Sequence, residues 1–186
     1  MNSLLKAALV AAVALSGSAW AKVGADKAAA LGDKLTPVGA EKAGNADGSI
    51  PAWSGGLTTA PPCFKGAGSR YCDPFPDDKP QFTITSANLD QYKANLAPGQ
   101  MALFAKYGDS YKMPVYQTRR TFANPQFIYD ATAKNAVSAE LGGNGEALTG
   151  AITGIPFPIP GNGHEVIWNH KVRFRDTGVR RWNNQF

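Results

Sequence analysis

Cysteine, histidine and charge are scarce in this chain of 186 residues. It has two cysteines and two histidines, and charged residues make up 18% of it. An average soluble domain carries about a quarter charged residues. So few nitrogen and sulfur ligands exclude a metal centre built from several cysteines or histidines. The low charge argues against a charged disordered tail. The formal net charge is nevertheless positive, at +5.

Familiar catalytic motifs are also missing. His164 and His170 would lie about 20 Å apart along a strand, too far to share one metal ion. Residues 143–148 hold two of the three glycines of a dinucleotide fingerprint but lack its strand-to-helix context. We predict no catalytic residue, no cofactor, no metal and no enzymatic activity. One hydrolytic alternative stays open, because acidic residues distant in sequence can meet in space: Asp73, Asp77, Asp78, Glu140 and Glu165.

Residues 1–21 have the pattern of a cleavable signal peptide. Lys6 precedes an apolar run over residues 7–15, and Ala19-Trp20-Ala21 fits the small-x-small cleavage rule. A lipoprotein signal would need cysteine where Ser18 stands. We therefore expect an exported, periplasmic protein without a lipid anchor. No later stretch approaches the roughly 20 apolar residues of a membrane span.

The two cysteines predict a disulfide. Cys63 and Cys72 lie nine positions apart in a segment rich in glycine and proline, and an exported protein meets an oxidising compartment. A redox-active pair would favour the C-x-x-C spacing, which is absent. We expect a structural crosslink that holds residues 22–85, an irregular Gly/Pro-rich segment, around the rest of the domain.

Residues 86–108 predict two short amphipathic helices. Ser86 can cap the first, which carries Leu89 and Tyr92 at helical spacing, and Pro98 suits the first turn of the second. After this pair we expect strands over residues 115–122 and 127–129, whereas residues 131–141 fit a helix or a strand. Helical apolar stripes of this kind usually pack on a sheet.

Strict alternation over residues 164–175 predicts one long strand. Its apolar face would carry Val166, Trp168, Val172 and Phe174. A turn at residues 176–178 would return the chain as a hairpin. One polar face of that hairpin would then collect basic side chains suited to an anionic lipid surface or an acidic partner: Lys171, Arg173, Arg175, Arg180 and Arg181. Export argues against nucleic acid as the partner.

Four segments together resemble one bacterial family. They are LTPVGAEKAGNADGSIPAWSGGL at 35–57, DPFPDDKPQFTITSANLDQYKANLAPGQ at 73–100, KMPVYQTRRT at 112–121 and GIPFPIPGNGHEVIWNH at 154–170. These segments resemble the periplasmic family called domain of unknown function 1329, which is similar to outer-membrane lipoprotein-sorting proteins. Family members are longer, so the chain is expected to correspond to their N-terminal part.

The resemblance implies an α+β fold with a curved antiparallel sheet, a lipoprotein-carrier-like half-barrel that is incomplete here. Residues 86–186 would supply the helical pair and the start of this sheet, in one domain with residues 22–85. The implied function is a non-catalytic carrier of lipid or other hydrophobic cargo. The expected cargo-lining residues are Val166, Trp168, Val172, Phe174, Leu89, Tyr92, Met101 and Phe104. The alternative is a structural subunit of an envelope export system, in contact with outer-membrane or export proteins.

Overall fold

A computed structural model describes residues 23–176, 178–179, 181 and 183–185. The predicted signal peptide and Arg180 therefore lie outside the described residues. The chain divides into two units, which we name unit 1 (residues 23–43 and those from 124 onward) and unit 2 (residues 44–123). The predicted organisation, with residues 22–85 and 86–186 in one domain, stays a prediction.

Helices and short antiparallel strands are mixed in the described residues, as the predicted α+β class requires, and the sheets do not close into a barrel. The helices are α1 (Ala25–Ala28), α2 (Pro98–Tyr107), α3 (Gln126–Ser138) and α4 (Gly163–Val172). The strands are β1 (Phe82–Ile84), β2 (Met113–Val115), β3 (Glu140–Gly142) and β4 (Ala147–Thr149). Strand β1 pairs antiparallel with β2, and β3 pairs antiparallel with β4.

Unit 1 is built around α3. Ile128, Thr132 and Ala136 recur every four residues along this helix and are buried on one side of it. Thr132 Oγ1 donates to the Ile128 carbonyl at 2.7 Å and accepts from the Ile155 N–H at 3.0 Å. Asn135 Nδ2 donates to the Thr153 carbonyl at 2.6 Å. The buried side of α3 therefore binds the backbone of residues 153–155 through polar side chains.

The proline-rich stretch over residues 155–160 is neither helix nor strand. Pro156, Phe157 and Pro158 are buried, and prolines cannot donate to a sheet ladder. The amide of Asn169 replaces a strand neighbour, because it accepts from the Phe157 N–H at 2.9 Å and donates to the Phe157 carbonyl at 2.7 Å. Side chains therefore hold the backbone of this stretch in place.

The predicted strand over residues 164–175 is wrong, because residues 163–172 form α4. Asn162 caps this helix by accepting from the Glu165 N–H at 3.1 Å, and the Glu165 carboxylate accepts from the Gly161 N–H at 2.6 Å. An Asn–x–x–Glu start is a helix signal that the alternation concealed. The predicted hairpin is also absent, since residues 173–176, 178–179 and 181 form no strand.

Two further strand predictions need correction. Residues 127–129 lie inside α3, and residues 131–138 resolve as helix, because the 3.6-residue spacing buries Ile128, Thr132 and Asn135 together. Of residues 115–122, only Val115 lies in a strand. Aromatic and branched side chains favour strands only where a sheet neighbour is available, and α3 buries the branched Ile128 and Thr132 without one.

Unit 2 has a small core beneath β1 and β2. Ile84 and Phe104 are buried, and the Tyr111 ring meets Phe104 edge-on at 4.7 Å between centroids. The second predicted helix is confirmed as α2, which begins at Pro98, ends at Tyr107 and is capped by Gly108, a glycine with φ of 52°. The first is wrong in detail, because residues 89–91 and 93–95 form separate 3-10 turns.

Residues 44–81 precede this core and contain no helix or strand. Trp53 Nε1 donates to the Phe122 carbonyl at 3.0 Å, and the Leu57 N–H donates to the Thr121 carbonyl at 2.8 Å. Gly56 lies between them with φ of 75°, and a Cβ there would stand 2.2 Å from the Phe122 oxygen. Only glycine allows this close approach. The predicted disulfide between Cys63 and Cys72 is present.

We expect Thr132→Val to lower the free energy of unfolding by about 1–3 kcal/mol, because the half-buried Ile155 N–H would lose its acceptor, the buried Thr132 hydroxyl. Urea denaturation measures the change. Thr149→Val, the same substitution at an exposed position of β4, should shift stability by less than about 0.5 kcal/mol. Equal effects of the two substitutions would contradict a structural role for the Thr132 hydroxyl.

We expect replacement of both cysteines by serine to cost about 2–3 kcal/mol, because the crosslink closes a loop of about ten residues in the unfolded chain. Urea midpoints of Cys63→Ser/Cys72→Ser and of the oxidised wild type give the difference. The reduced wild type should unfold like the double variant. An unchanged midpoint in the double variant would show that the disulfide does not stabilise the fold.

Candidate functional site

Four of the predicted cargo-lining residues belong to unit 2. The side chains of two of them already pack against other residues of that unit. Phe104 lies in the core, and the Tyr92 ring stacks on Phe82 with centroids 4.9 Å apart. Leu89 and Met101 are half-buried. Tyr92 therefore packs on β1 through Phe82.

The other four belong to unit 1 and do not share one face, because α4 is a helix. Trp168 turns inward, and its Nε1 donates to the Gly145 carbonyl at 2.8 Å. Val166 and Val172 are exposed. Phe174 follows the helix and meets Phe127 edge-on, with ring centroids 5.7 Å apart. The apolar wall predicted from strand alternation is therefore not formed.

Unit 1 has a different apolar concavity, a cleft of about 490 Å³ that we name the apolar cleft. Phe157 and Ile159 from the proline-rich stretch form one part of it, and the end of α3 with β3 forms another. Its apolar lining residues are Val23, Ala136, Ala139, Leu141, Phe157, Ile159 and Pro160. A cleft of this size and lining is suited to an apolar ligand.

Charged side chains complete the lining of the apolar cleft. Asp26 and Lys27 come from α1, Glu140 from β3 and Glu165 from the first turn of α4. Glu165 is also held by the Asn162 side chain, whose Nδ2 donates to it at 2.8 Å. These groups can orient the polar end of a ligand whose body lies against the apolar residues.

Sequence reasoning missed the apolar cleft. One usable signal was the alternation of proline with Ile155, Phe157 and Ile159, which places apolar side chains along an extended path. Another was the four-residue spacing that leads along α3 to Ala136. What no pattern indicated is that these two segments meet, since that depends on the buried hydrogen bonds of Thr132 and Asn135.

Unit 2 has a more polar concavity of about 750 Å³, which we name the polar cleft. Its lining includes Phe75, two glutamines, three hydroxyl side chains and charged groups from two chain segments. The charged lining residues are Asp78, Lys79, Arg119 and Arg120. The guanidinium carbon of Arg119 lies 4.0 Å from the centroid of the Phe75 ring.

An ion pair joins two of the three segments that line the polar cleft. Arg119 Nε donates to Asp78 Oδ2 at 2.8 Å, and its Nη2 donates to Oδ1 at 2.6 Å. These bonds from Arg119 lower the pKa of Asp78, and the same bonds raise the pKa of Arg119. Such two-point pairing fixes both groups more firmly than a single contact. Arg119 is therefore anchored, which suits it to shape the cleft.

Two of the acidic residues that the sequence leaves open for hydrolysis are bound to other groups. Asp78 is engaged with Arg119, and Asp73 accepts from the Phe75 N–H at 2.8 Å. Across the described part of the chain, no group of three or more potential ligands is placed to hold a metal ion. None of the described helices is long and apolar enough to cross a membrane.

The predicted anionic-surface residues are described except for Arg180. Lys171 lies in the last turn of α4, and Arg173 directly follows the helix. All of the described members are exposed: Lys171, Arg173, Arg175 and Arg181. They belong to unit 1, on the chain segment that ends the described residues.

Comparison with known proteins identifies relatives. Residues 83–186 match the family described as protein of unknown function (DUF1329). Uncharacterized protein PA3922 of Pseudomonas aeruginosa is 49% identical over 178 residues, which cover 96% of this chain and 39% of that relative. The chain thus spans well under half the length of the curated relative that it matches, and its correspondence to the N-terminal part stays a prediction. No solved structure matches.

We expect Asp78→Asn to destabilise the protein at neutral pH and to do so less in acid. Because folding lowers the pKa of Asp78, its carboxylate stabilises the folded state above the ordinary value of 3.8, and this contribution is lost as the pH falls below that value. Urea midpoints measured across this range give the difference between variant and wild type. Asp77→Asn is the control for loss of one charge. A difference that stays constant with pH would contradict the ion pair.

Proposed function

This chain belongs to the DUF1329 family, and on that premise we propose that it is an exported periplasmic protein that binds lipid or other hydrophobic cargo and catalyses no reaction. The observation that carries the proposal is the apolar cleft of unit 1. Ligand sites are typically concave, about 300–1,000 Å³ in volume, mostly apolar, and supplied with a few polar groups. The apolar cleft has each of these properties.

Binding in the apolar cleft would draw on burial of apolar surface, worth about 25 cal/mol per Å² before ordering costs. Phe157 offers a rigid aromatic wall, because its backbone is fixed on both sides by Asn169. Ile159 and Leu141 are half-buried and would lose their remaining exposure to a ligand. A preformed wall lowers the cost of ordering the site when cargo enters.

The proposal extends to the fold of the longer relatives. The two small sheets in this chain are antiparallel, and we propose that a whole family member builds a strongly curved antiparallel half-barrel of the lipoprotein-carrier kind. The signal-peptide pattern over residues 1–21 supports export to the periplasm. A carrier there would shield the acyl portion of its cargo from water between membranes.

We expect Ile159→Asp and Leu141→Asp each to weaken binding of phenylnaphthylamine, a neutral fluorescent probe, by about tenfold or more. A buried charge in the apolar cleft would cost at least the 1.4 kcal/mol that a tenfold change represents. Fluorescence titration of the purified chain measures the affinity. Native mass spectrometry of the same preparation reveals any lipid that copurifies with it.

Ile152→Asp is the matched control, since Ile152 belongs to unit 1 but is 97% exposed and does not line the apolar cleft. Its affinity for the probe should equal that of the wild type. Loss of probe binding in all three variants would mean that the probe binds outside the apolar cleft. If the protein binds neither the probe nor lipid, the carrier proposal is contradicted. That result would favour a structural subunit of an envelope export system.

A further inference from the structure

The solvent-facing side of α4 combines apolar and basic side chains. At about 100° per residue, one arc of about 160° around the helix carries five exposed residues: His164, Val166, Ile167, His170 and Lys171. Glu165 is the acidic residue of α4 and lies on the opposite side, where it is tied to Gly161 and Asn162. The exposed arc therefore contains no carboxylate.

Two neighbouring branched side chains are left in solvent on this arc. Val166 is 51% exposed and Ile167 is 59% exposed. Single exposed apolar residues are ordinary on protein surfaces. Here, however, the two lie about 100° apart within the same exposed arc, and His170 and Lys171 follow them one turn later on the helix. Helices that lie in a membrane interface likewise combine apolar and basic side chains, the apolar ones entering the boundary and the basic ones contacting anionic head groups.

The cations at the end of α4 are held in defined positions. The Nζ of Lys171 stands 4.5 Å from the centroid of the Trp168 ring. Arg173 Nη1 donates to the His170 carbonyl at 2.6 Å. Positive charge at a helix C-terminus is also favoured by the helix dipole. Lys171 therefore lies one helical turn beyond Ile167, and Arg173 holds its charge at the C-terminal end of α4.

The surrounding sequence strengthens the positive charge. Residues 166–186 contain one acidic residue, Asp176, and five basic ones: Lys171, Arg173, Arg175, Arg180 and Arg181. A surface of this charge attracts anionic lipid head groups, and the attraction weakens as salt screens it over a Debye length of about 10 Å at 0.1 M. An electrically neutral bilayer offers no such attraction.

We propose that α4 docks flat on a bilayer surface that contains anionic lipid, through a basic–apolar face formed by Val166, Ile167, Lys171 and Arg173. The ten residues of α4 span about 15 Å, too short to cross a bilayer but long enough to lie in its interface. Val166 and Ile167 enter the boundary between head groups and acyl chains. Lys171 and Arg173 contact the lipid phosphates. This docking is independent of cargo binding in the apolar cleft.

Vesicle cosedimentation tests the proposal. The wild-type chain is mixed with vesicles of phosphatidylcholine alone, and with vesicles in which phosphatidylglycerol forms about a third of the lipid. We expect at least about tenfold stronger partitioning to the anionic vesicles, and a steep loss of binding as salt is raised. Every variant is prepared with the same N-terminus, so that any contribution from residues 1–21 is common to all.

The decisive variant is Lys171→Glu/Arg173→Glu, which we expect to reduce partitioning at least about tenfold. Lys106→Glu/Lys112→Glu is its matched control, because it changes the net charge equally at exposed positions of unit 2, and Lys106 also lies over an aromatic ring. The control should keep most of the binding. Ile167→Ser should weaken binding while leaving the charge unchanged. Circular dichroism and urea midpoints verify that each variant folds.

Three results would overturn the proposal. Equal binding to neutral and anionic vesicles would remove the role of charge. An equal loss in the control would mean that net charge, rather than the basic–apolar face, governs binding. Self-association that Ile167→Ser abolishes, without vesicle binding by the wild type, would show that a second copy of the chain covers this face. Unchanged vesicle binding in Ile159→Asp is expected, and it separates this proposal from cargo binding.

Discussion

The backbone of the proline-rich stretch over residues 155–160 cannot form a sheet ladder, and this constraint organises unit 1. Every second residue is proline, so every second N–H donor is missing. Buried backbone groups nevertheless need partners. Thr132 and Asn135 of α3 and Asn169 of α4 supply them. Helix α3 thus carries polar Thr132 and Asn135 beside aliphatic Ile128 and Ala136 on its buried side, and α4 contributes the half-buried Asn169.

The apolar cleft follows from the same contacts. Because polar side chains hold the stretch by its backbone, the side chains of Phe157 and Ile159 are left to line a concave surface. Among the described residues, no buried side-chain nitrogen or oxygen lacks a hydrogen-bond partner. A fully satisfied polar network of this kind specifies one arrangement of its segments. Hydrophobic packing alone would fix their positions less sharply, because it is non-directional.

Sequence patterns succeeded where one local signal dominated. Pro98, the stripe through Met101 and Phe104, and Gly108 all indicated α2, and two nearby cysteines indicated the disulfide. Sequence patterns failed where one segment fitted both the two-residue period of a strand and the 3.6-residue period of a helix. Residues 164–175 alternate like a strand, yet Glu165, Trp168 and Asn169 also fit one side of a helix. Asn162 and Glu165 cap the start of the helix reciprocally, and this cap favours a helix over a strand. The signal is recognisable only when both residues are considered together.

The sequence by itself determined the α+β class, the family, helix α2 and the crosslink between Cys63 and Cys72, because each depends on residues close together or on long matching motifs. Only the tertiary structure decided which polar residues are buried, where the apolar cleft opens, and that Asp78 meets Arg119 across 41 positions. The reason is physical. Capping and helical periodicity act within a turn or two, whereas burial and long-range hydrogen bonds depend on how distant segments pack.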